Sequence, residues 1–565
     1  MREQQDMGSL PTTESHVVKG AMVLGLAALL SKLIGTLQKI PLQNIAGDGV
    51  FGIYNAVYPF YILIVFLATA GFPVAISKFV AERMAHDDEV GARRILHVSM
   101  VLLGVAGIAG FILLHQGADR IAGWMDNIHT AEAIRCSSFA LLIVPVMSAV
   151  RGYFQGKSMM VPTAVSQVAE QLIRVATMLF LLLILTRAGL EESIVAAGAA
   201  LGSTAGGVAG LLVMMYYYRK DRRRPSLQRV EIRAQGASHV QEVAPLRTLL
   251  WQLVRYAVLV CLGAIVVPMM SIVDTFTVPR LLKMSFADDM QAMAAFGIYN
   301  RGLPLVQLVG MVVSSISVSI IPAITQDHLS GNLDKLRQRS TILLRWAWIL
   351  GAASTLGIVL LAEPINVALY RDSNGTDTMA WVACMAVVST INIMTGAILQ
   401  GIGKVNAPAW HLLIAVGVKI ALNLWLVPVL GMNGAAIAGV AAYGIAALLN
   451  GIVLFQTLGL RISWGELVVK PLLMMGMLSV TVGATTTLMP ELLHGFGLAN
   501  GRVEAVIVTL VGIVIGVVTF AGSGMRFGVI TAQELATLPG VKKYIPRLER
   551  LGLLKRGING GMKSG

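Results

Sequence analysis

The chain has 565 residues, 56% of them hydrophobic and 13% charged, with a mean hydropathy of +0.74. Soluble domains carry about 25% charged residues, so a soluble multidomain protein is excluded. The net charge of +14, from 44 Lys and Arg against 30 Asp and Glu, has two readings: a nucleic-acid partner for a soluble chain, or basic cytoplasmic loops for a membrane one.

Apolar runs of about 20 residues, the length that crosses a bilayer core, occur fourteen times. Their limits are 17–40, 52–82, 95–115, 131–150, 162–186, 193–218, 249–275, 290–322, 341–362, 378–399, 408–428, 433–457, 467–489 and 503–522. They are too long, and alternate too little, for β-barrel strands. An all-α integral membrane protein of about 14 transmembrane helices is predicted. With the N-terminus inside, the outside loops hold only Arg120, Arg187, Arg280, Lys283, Arg371 and Arg502. Basic residues crowd instead into Arg219–Arg247, Lys335–Arg345 and the tail after Arg526. This bias places both termini in the cytoplasm of a multi-pass cell-membrane protein. Residues 1–16 are polar and no cleavable signal peptide is expected.

An internal repeat organises the runs. Phe51-Gly-Ile-Tyr-Asn55 recurs as Phe296-Gly-Ile-Tyr-Asn300, an offset of 245 residues. Pro59 and Pro304 follow at the same offset, as do Gln155-Gly156 and Gln400-Gly401, and Pro162 and Pro408 come one residue out of step. Six spans return the chain to the same side, so two parallel copies of a six-helix unit are predicted, as in transporters. The expected segments are a first bundle at 1–218, a basic cytoplasmic linker at 219–248, a second bundle at 249–457, two further transmembrane helices at 467–522 and a basic amphipathic tail at 523–565. The tail reads as a helix lying on the anionic inner leaflet. Arg222, Arg223 and Arg224 in the linker lack an aromatic platform, so no nucleic-acid partner is expected.

Enzyme motifs are absent. Gly152-Tyr-Phe-Gln-Gly-Lys157-Ser158 has three residues where a phosphate loop has four, and there is no HExxH, HxxxH or GxSxG. Cys136, Cys261 and Cys384 form no CxxC pair. No catalysis, cofactor or metal is expected, and transport energy comes from an ion gradient, the membrane potential or the substrate's own gradient.

The informative residues are charges within spans, which insertion scales penalise by about 2.5–3.5 kcal/mol each. Five are cations: Lys32 and Lys39 in the first run, Arg174 in the fifth, Arg301 in the eighth and Lys419 in the eleventh. Two are anions, Glu170 in the fifth run and Asp274 in the seventh. The excess of +3 calls for an anionic substrate, and arginine's fork suits phosphate. Lys32 and Arg301 are deep and have no partner within one turn, so both are candidate cavity ligands. Lys39 either snorkels or joins them. Glu170 and Arg174, four apart, either pair on their helix or leave Arg174 to the substrate. Asp274 is a cation or proton site, or pairs with Lys419, and Asn423 lies one turn beyond Lys419. Pro59 and Pro304 place kinks at matching positions of the two copies.

Several stretches are similar to the MOP superfamily, and within it to the MurJ/SpoVB/YtgP-type polysaccharide biosynthesis proteins of Gram-positive bacteria. They are Ser31-Lys32-Leu-Ile-Gly35, Phe51–Asn55, Gly71-Phe-Pro-Val-Ala-Ile-Ser-Lys78, Tyr299-Asn-Arg301-Gly-Leu-Pro304, Lys419–Ala436 and Glu534-Leu-Ala-Thr-Leu-Pro539. The resemblance implies two pseudo-symmetric bundles in a V, with two extra helices forming a lipid-facing groove. It implies flipping of lipid II, the undecaprenyl-diphosphate-linked peptidoglycan precursor, from the inner to the outer leaflet by alternating access. Membrane lipids and cell-wall synthesis proteins are its implied partners.

The family's basic cavity positions fall on Lys32 and Arg301. Lys39 stands beside a second one, where Gln38 is aligned. A sodium site of some relatives falls on Asp274 and Asn423, with Lys419 where another polar ligand would be. The alternatives are a flippase for a teichoic, capsular or spore-cortex precursor, a cation-coupled multidrug exporter, a membrane glycosyltransferase or polymerase, and a non-transporting scaffold. The excess of deep cations disfavours the exporter and the scaffold, and the short outside loops disfavour the transferase.

Overall fold

A computed structural model describes residues 12–69, 71–223, 247–248, 250–255, 257, 266–286, 288–460, 465–495 and 501–531. The linker core at 224–246 and the tail from 532 lie outside these residues, so the readings of Arg224 and of the amphipathic tail are not addressed. In chain order the helices are α1 (Thr12–Leu37), α2 (Lys39–Thr69), α3 (Phe72–Met84), α4 (Glu89–Gln116), α5 (Ala118–Trp124), α6 (Ala131–Ser138), α7 (Val144–Gly156), α8 (Met160–Arg187) and α9 (Glu192–Arg223). They continue as α10 (Val266–Leu282), α11 (Asp289–Asn300), α12 (Leu303–Leu329), α13 (Leu333–Leu360), α14 (Ala362–Tyr370), α15 (Thr376–Ala383), α16 (Met385–Gly401), α17 (Asn406–Leu430), α18 (Met432–Leu458), α19 (Lys470–Gly495) and α20 (Gly501–Arg526).

No strand occurs among the described residues, as expected where lipid leaves each backbone polar group to be satisfied within its own segment. Twelve helical stretches there are long and apolar enough to cross a membrane. The two of the fourteen runs without a counterpart are 52–82, divided between α2 and α3, and 249–275, in which 258–265 are not described.

The sequence repeat extends to the backbone. Left-handed residues punctuate both copies at nearly constant offset: Asp87 and Gly331, Asp126 and Arg371, Ser158 and Gly403, Gly189 and Gly431. Asp88 caps α4 by accepting from the Gly91 amide at 2.7 Å, and Asn332 caps α13 by accepting from Lys335 at 3.1 Å. Such Asx caps satisfy amides that a helix start leaves open.

Contacts group the chain into two compact units. One takes Met1–Gly297 with Asn423–Gly431, the other Ile298–Leu422 with Met432–Gly565. The core of the first includes Ile76, Leu96, Leu103, Tyr153 and Phe154 from α3, α4 and α7. Within it, α8 and α9 pack against each other through glycines four apart. A methyl on Gly202 would press on the Arg174 carbonyl, and one on Gly206 on the Glu170 carbonyl, at 2.7 and 2.6 Å. Small residues at this spacing let helix backbones touch, the main source of packing attraction where lipid removes the hydrophobic drive.

The repeated motifs also meet in this unit. A methyl on Gly52 would strike the Met293 carbonyl, and one on Gly297 the Asp48 carbonyl. Both the glycines and their contacts are pairs at offset 245, so the crossing of α2 and α11 is self-complementary, as at a two-fold axis. The core of the second unit includes Val313, Leu336, Ile398, Leu399 and Leu454. Its α14 packs on α20 and its α13 on α19.

Candidate functional site

Lys32 lies on α1 and is exposed; Lys39 opens α2 and is buried. The junction between them stays nearly helical, with the Gln38 amide bonded to Ile34 O at 3.0 Å and the Leu42 amide to Gln38 O at 3.3 Å. Seven residues of helix return to within about 20° of the same face, so the two lysines occupy one face of the helical path. Lys39 makes no hydrogen bond or ion pair among the described residues. Around it, Gln38 Nε2 donates to the Tyr54 hydroxyl at 3.5 Å and Gln43 Nε2 to Asp48 Oδ1 at 3.3 Å. The buried Gln38 Oε1 and Gln43 Oε1 have no partner. Gln167 Oε1 and Gln171 Nε2 on α8, which packs against α1, have none either. Buried polar atoms normally are paired, so this region holds unused hydrogen-bonding capacity beside an unneutralised cation.

A second cluster joins α7 to α8. Arg174 donates to Glu170 Oε1 at 3.0 Å, one turn along the same helix. Arg151 of α7 donates to Glu170 Oε2 at 2.9 Å and to Ser166 Oγ at 2.7 Å, and Ser166 in turn donates to the Gly210 carbonyl at 3.0 Å. All three charged side chains are largely buried. One carboxylate therefore bridges two guanidiniums, and Gly210 leaves room first for Met147, whose Sδ would lie 2.5 Å from a methyl there, and then for Arg151 Nη2 at 3.3 Å.

Asp274 on α10 is buried and accepts from Asn423 Nδ2 at 3.2 Å, while the same amide reaches the Thr277 hydroxyl at 2.8 Å. Asn423 is fully enclosed and its Oδ1 has no partner. Lys419, one turn earlier on α17, is also buried.

Arg301 occupies a break between α11 and α12 and is fully enclosed. Pro304 falls in the first turn of α12, whereas Pro59 sits inside α2, which is helical there and kinks earlier, at Gly47 (φ 83°). At the break, the Leu305 amide bonds to Gly302 O at 3.1 Å, which frees the Arg301 carbonyl; the Tyr370 hydroxyl donates to it at 2.9 Å. The guanidinium forks onto Asp372, Nη1 to Oδ1 at 2.7 Å and Nη2 to Oδ2 at 2.9 Å. Nη1 also reaches Asn366 Oδ1 at 3.2 Å and the Asn374 carbonyl at 3.3 Å, and the group stands 5.2 Å from the centre of the Tyr370 ring. Partial burial pushes the Asp372 carboxyl up. The hydrogen bonds from Arg301 and from the Asn374 amide, together with the guanidinium charge, outweigh burial and hold it below the usual carboxylate range.

The structure thus joins Glu170 with Arg174, and Asp274 with Asn423, and it sets Lys32 and Lys39 on one helical side. Sequence reasoning missed Arg151, Asp372, Asn366 and Tyr370. A signal for Asp372 existed: at offset 245, Arg301 and Asp372 replace the uncharged Ala56 and Asn127, an opposite-charge pair gained together.

A helical, multi-pass membrane protein with buried cations and an internal repeat is the class that these features define, and its fold is that of the MOP transporters. An inward-facing multidrug resistance MATE family transporter of the MOP superfamily superposes with a TM-score of 0.58 at 17% identity, covering 76% of this chain and 94% of that one. A lipid II flippase MurJ in its inward closed conformation does so with 0.60 at 13% identity, covering 88% and 98%. The family described as polysaccharide biosynthesis protein matches residues 17–328, and the chain belongs to it. An uncharacterized membrane protein of Bacillus subtilis strain 168, YabM, is 32% identical over 96% of this chain and 99% of its own. Lipid II flippase MurJ of the same organism is 29% identical over 93% and 98%.

Proposed function

We propose that the chain is a flippase that carries a lipid-linked saccharide from the inner to the outer leaflet by alternating access, and that its substrate is lipid II. Membership of the polysaccharide biosynthesis family and the full-length similarity to a lipid II flippase support this reading. The observation that carries it at the level of residues is Lys39, a buried ammonium with no carboxylate among the described residues. A buried charge without a counter-ion costs several kcal/mol, and an anionic headgroup entering the membrane interior supplies the missing charge. Lys32, on the same side of the helix, is the second cation offered to a diphosphate. The unpaired Oε1 atoms of Gln38, Gln43 and Gln167 and the Nε2 of Gln171 suit sugar hydroxyls, which both donate and accept. Arg174 and Arg301 already hold the carboxylates of Glu170 and Asp372. In this reading both termini face the cytoplasm, as the distribution of basic residues requires.

Liposomes containing the purified full chain and fluorescent lipid II test the proposal. Dithionite quenching is expected to reveal protein-dependent flipping, slowed at least tenfold by Lys39→Ala and less by Lys32→Ala. Flipping that is indifferent to both substitutions, or equal for a lipid with a neutral headgroup, contradicts it. Movement of teichoic or capsular carriers alone transfers the same mechanism to another diphosphate-linked glycan.

A further inference from the structure

We infer that Arg301 acts through Asp372, as one half of a clamp that fixes the break between α11 and α12, and does not itself touch the headgroup. Four side chains converge on this break. Asp372 takes both arms of the guanidinium fork, Asn366 accepts from Nη1, and Tyr370 lies against the guanidinium while donating to the carbonyl that the break exposes. Asn366 then donates to the Asn374 carbonyl at 2.8 Å and to the Thr376 hydroxyl at 3.3 Å, so the connection from α14 to α15 belongs to the same network. Arg301 is fully enclosed, whereas the Asp372 side chain keeps 38% of its exposure. The arginine therefore reaches outward to a loop carboxylate, and its fork, the part suited to phosphate, is fully used.

The other copy of the repeat supplies a control within the same molecule. At offset 245, Ala56, Ile121, Met125 and Asn127 stand for Arg301, Asn366, Tyr370 and Asp372. None of the four clamp groups is kept, and there the helix runs unbroken through 56–59. The loop starts in the same way in both copies and then diverges, Thr130 being right-handed and its counterpart Gly375 left-handed. Asn127 Oδ1 accepts from the His129 amide at 3.1 Å, as Asp372 Oδ1 does from Asn374 at 2.8 Å, and the residues just before them, Asp126 and Arg371, are both left-handed. The clamp accompanies the break at 301–302, and at the matched position, where the clamp groups are missing, the helix is intact; α2 kinks elsewhere, at Gly47. A broken helix leaves backbone groups and a change of direction to be held, and a charged fork between break and loop holds both.

The activity arm of the test rests on the flippase reading; the structural arm does not. Asp372→Asn removes the charge and keeps the turn, since Asn127 makes that turn in the other copy. In the purified full chain, hydrogen exchange of the 372–376 amides is expected to quicken several-fold in both Arg301→Ala and Asp372→Asn, and to stay unchanged in Lys39→Ala. In liposomes both clamp variants are expected to slow lipid II flipping about tenfold with unaltered half-saturation by lipid, and the double variant to be no slower than either single. Unchanged exchange in the clamp variants overturns the inference whatever the transport result. So does faster flipping or tighter lipid binding in Asp372→Asn, the result expected if Asp372 merely competes with a headgroup for Arg301. Wild-type protein that moves no lipid, with exchange behaving as described, counts against the flippase reading alone.

Discussion

The two copies of the repeat share a scaffold and bury charge in different places. Both carry four matching left-handed turns and a matching Asx cap. In the first copy, Arg151, Glu170 and Arg174 tie α7 to α8. Their counterparts are Gly396 at offset 245 and, at the offset of 246 that relates Pro162 to Pro408, Val416 and Ile420, with the buried Lys419 next to the last. In the second copy, Arg301 and Asp372 bind a helix break to a loop, where the first has Ala56 and Asn127. Duplication thus preserved the turns, which set the path of the chain, and left each copy to acquire its own ion pairs. Turns constrain backbone angles that few residues tolerate, whereas an ion pair is optional provided that both partners arrive together.

Three substitutions test this division of labour. Glu170→Gln strips the carboxylate shared by two buried guanidiniums and is expected to cost about 3–5 kcal/mol, read as thermal unfolding of the purified protein. Asp372→Ala takes the bidentate carboxylate away from the enclosed Arg301. Because Asp372 is partly exposed, the expected loss is about 2–3 kcal/mol. Its counterpart Asn127→Ala removes only the turn and is expected to cost about 1 kcal/mol. Equal losses at 127 and 372 would break the comparison.

The pH dependence follows from the same pair. Asp372 is held below the usual carboxylate range, so its contribution is fully present above the unfolded value of about 3.9. It is lost as pH falls through the lower, folded value. Wild-type stability is therefore expected to drop more steeply below about pH 4 than that of Asp372→Asn, and parallel curves would argue against the clamp. The smallest effect lies at the conserved turns. Ser158 has φ 58° and its counterpart Gly403 has φ 82°. Ser158→Gly is expected to stabilise, and Gly403→Ser to destabilise, by about 1 kcal/mol each, again measured by thermal unfolding.

Hydropathy made the apolar runs legible, because a bilayer core demands length and apolarity wherever a helix crosses it. The Glu170 and Arg174 relationship was also readable, since residues four apart share a helical face. Arg151 was not, because it comes from another helix 19 residues away in sequence. Asp372 lies 71 residues from Arg301, in a loop where a carboxylate reads as ordinary solvated charge. The prolines illustrate the same limit. Pro59 and Pro304 match in sequence, yet one lies inside a helix and the other opens one. The difference goes with Arg301 and with Asn366, Tyr370 and Asp372, which come from a distant part of the chain. The glycines at 198, 202, 206 and 210 recur every four residues, a signal of close helix packing that the sequence reading missed.

The most direct test of the account is the amount of lipid II on the outer face of cells depleted of their own lipid II flippases and supplied with this chain. The account predicts that outer-face lipid II returns with the wild-type protein and stays low with Lys39→Ala at equal abundance in the membrane. No return with wild-type protein, or full return with Lys39→Ala, would contradict it.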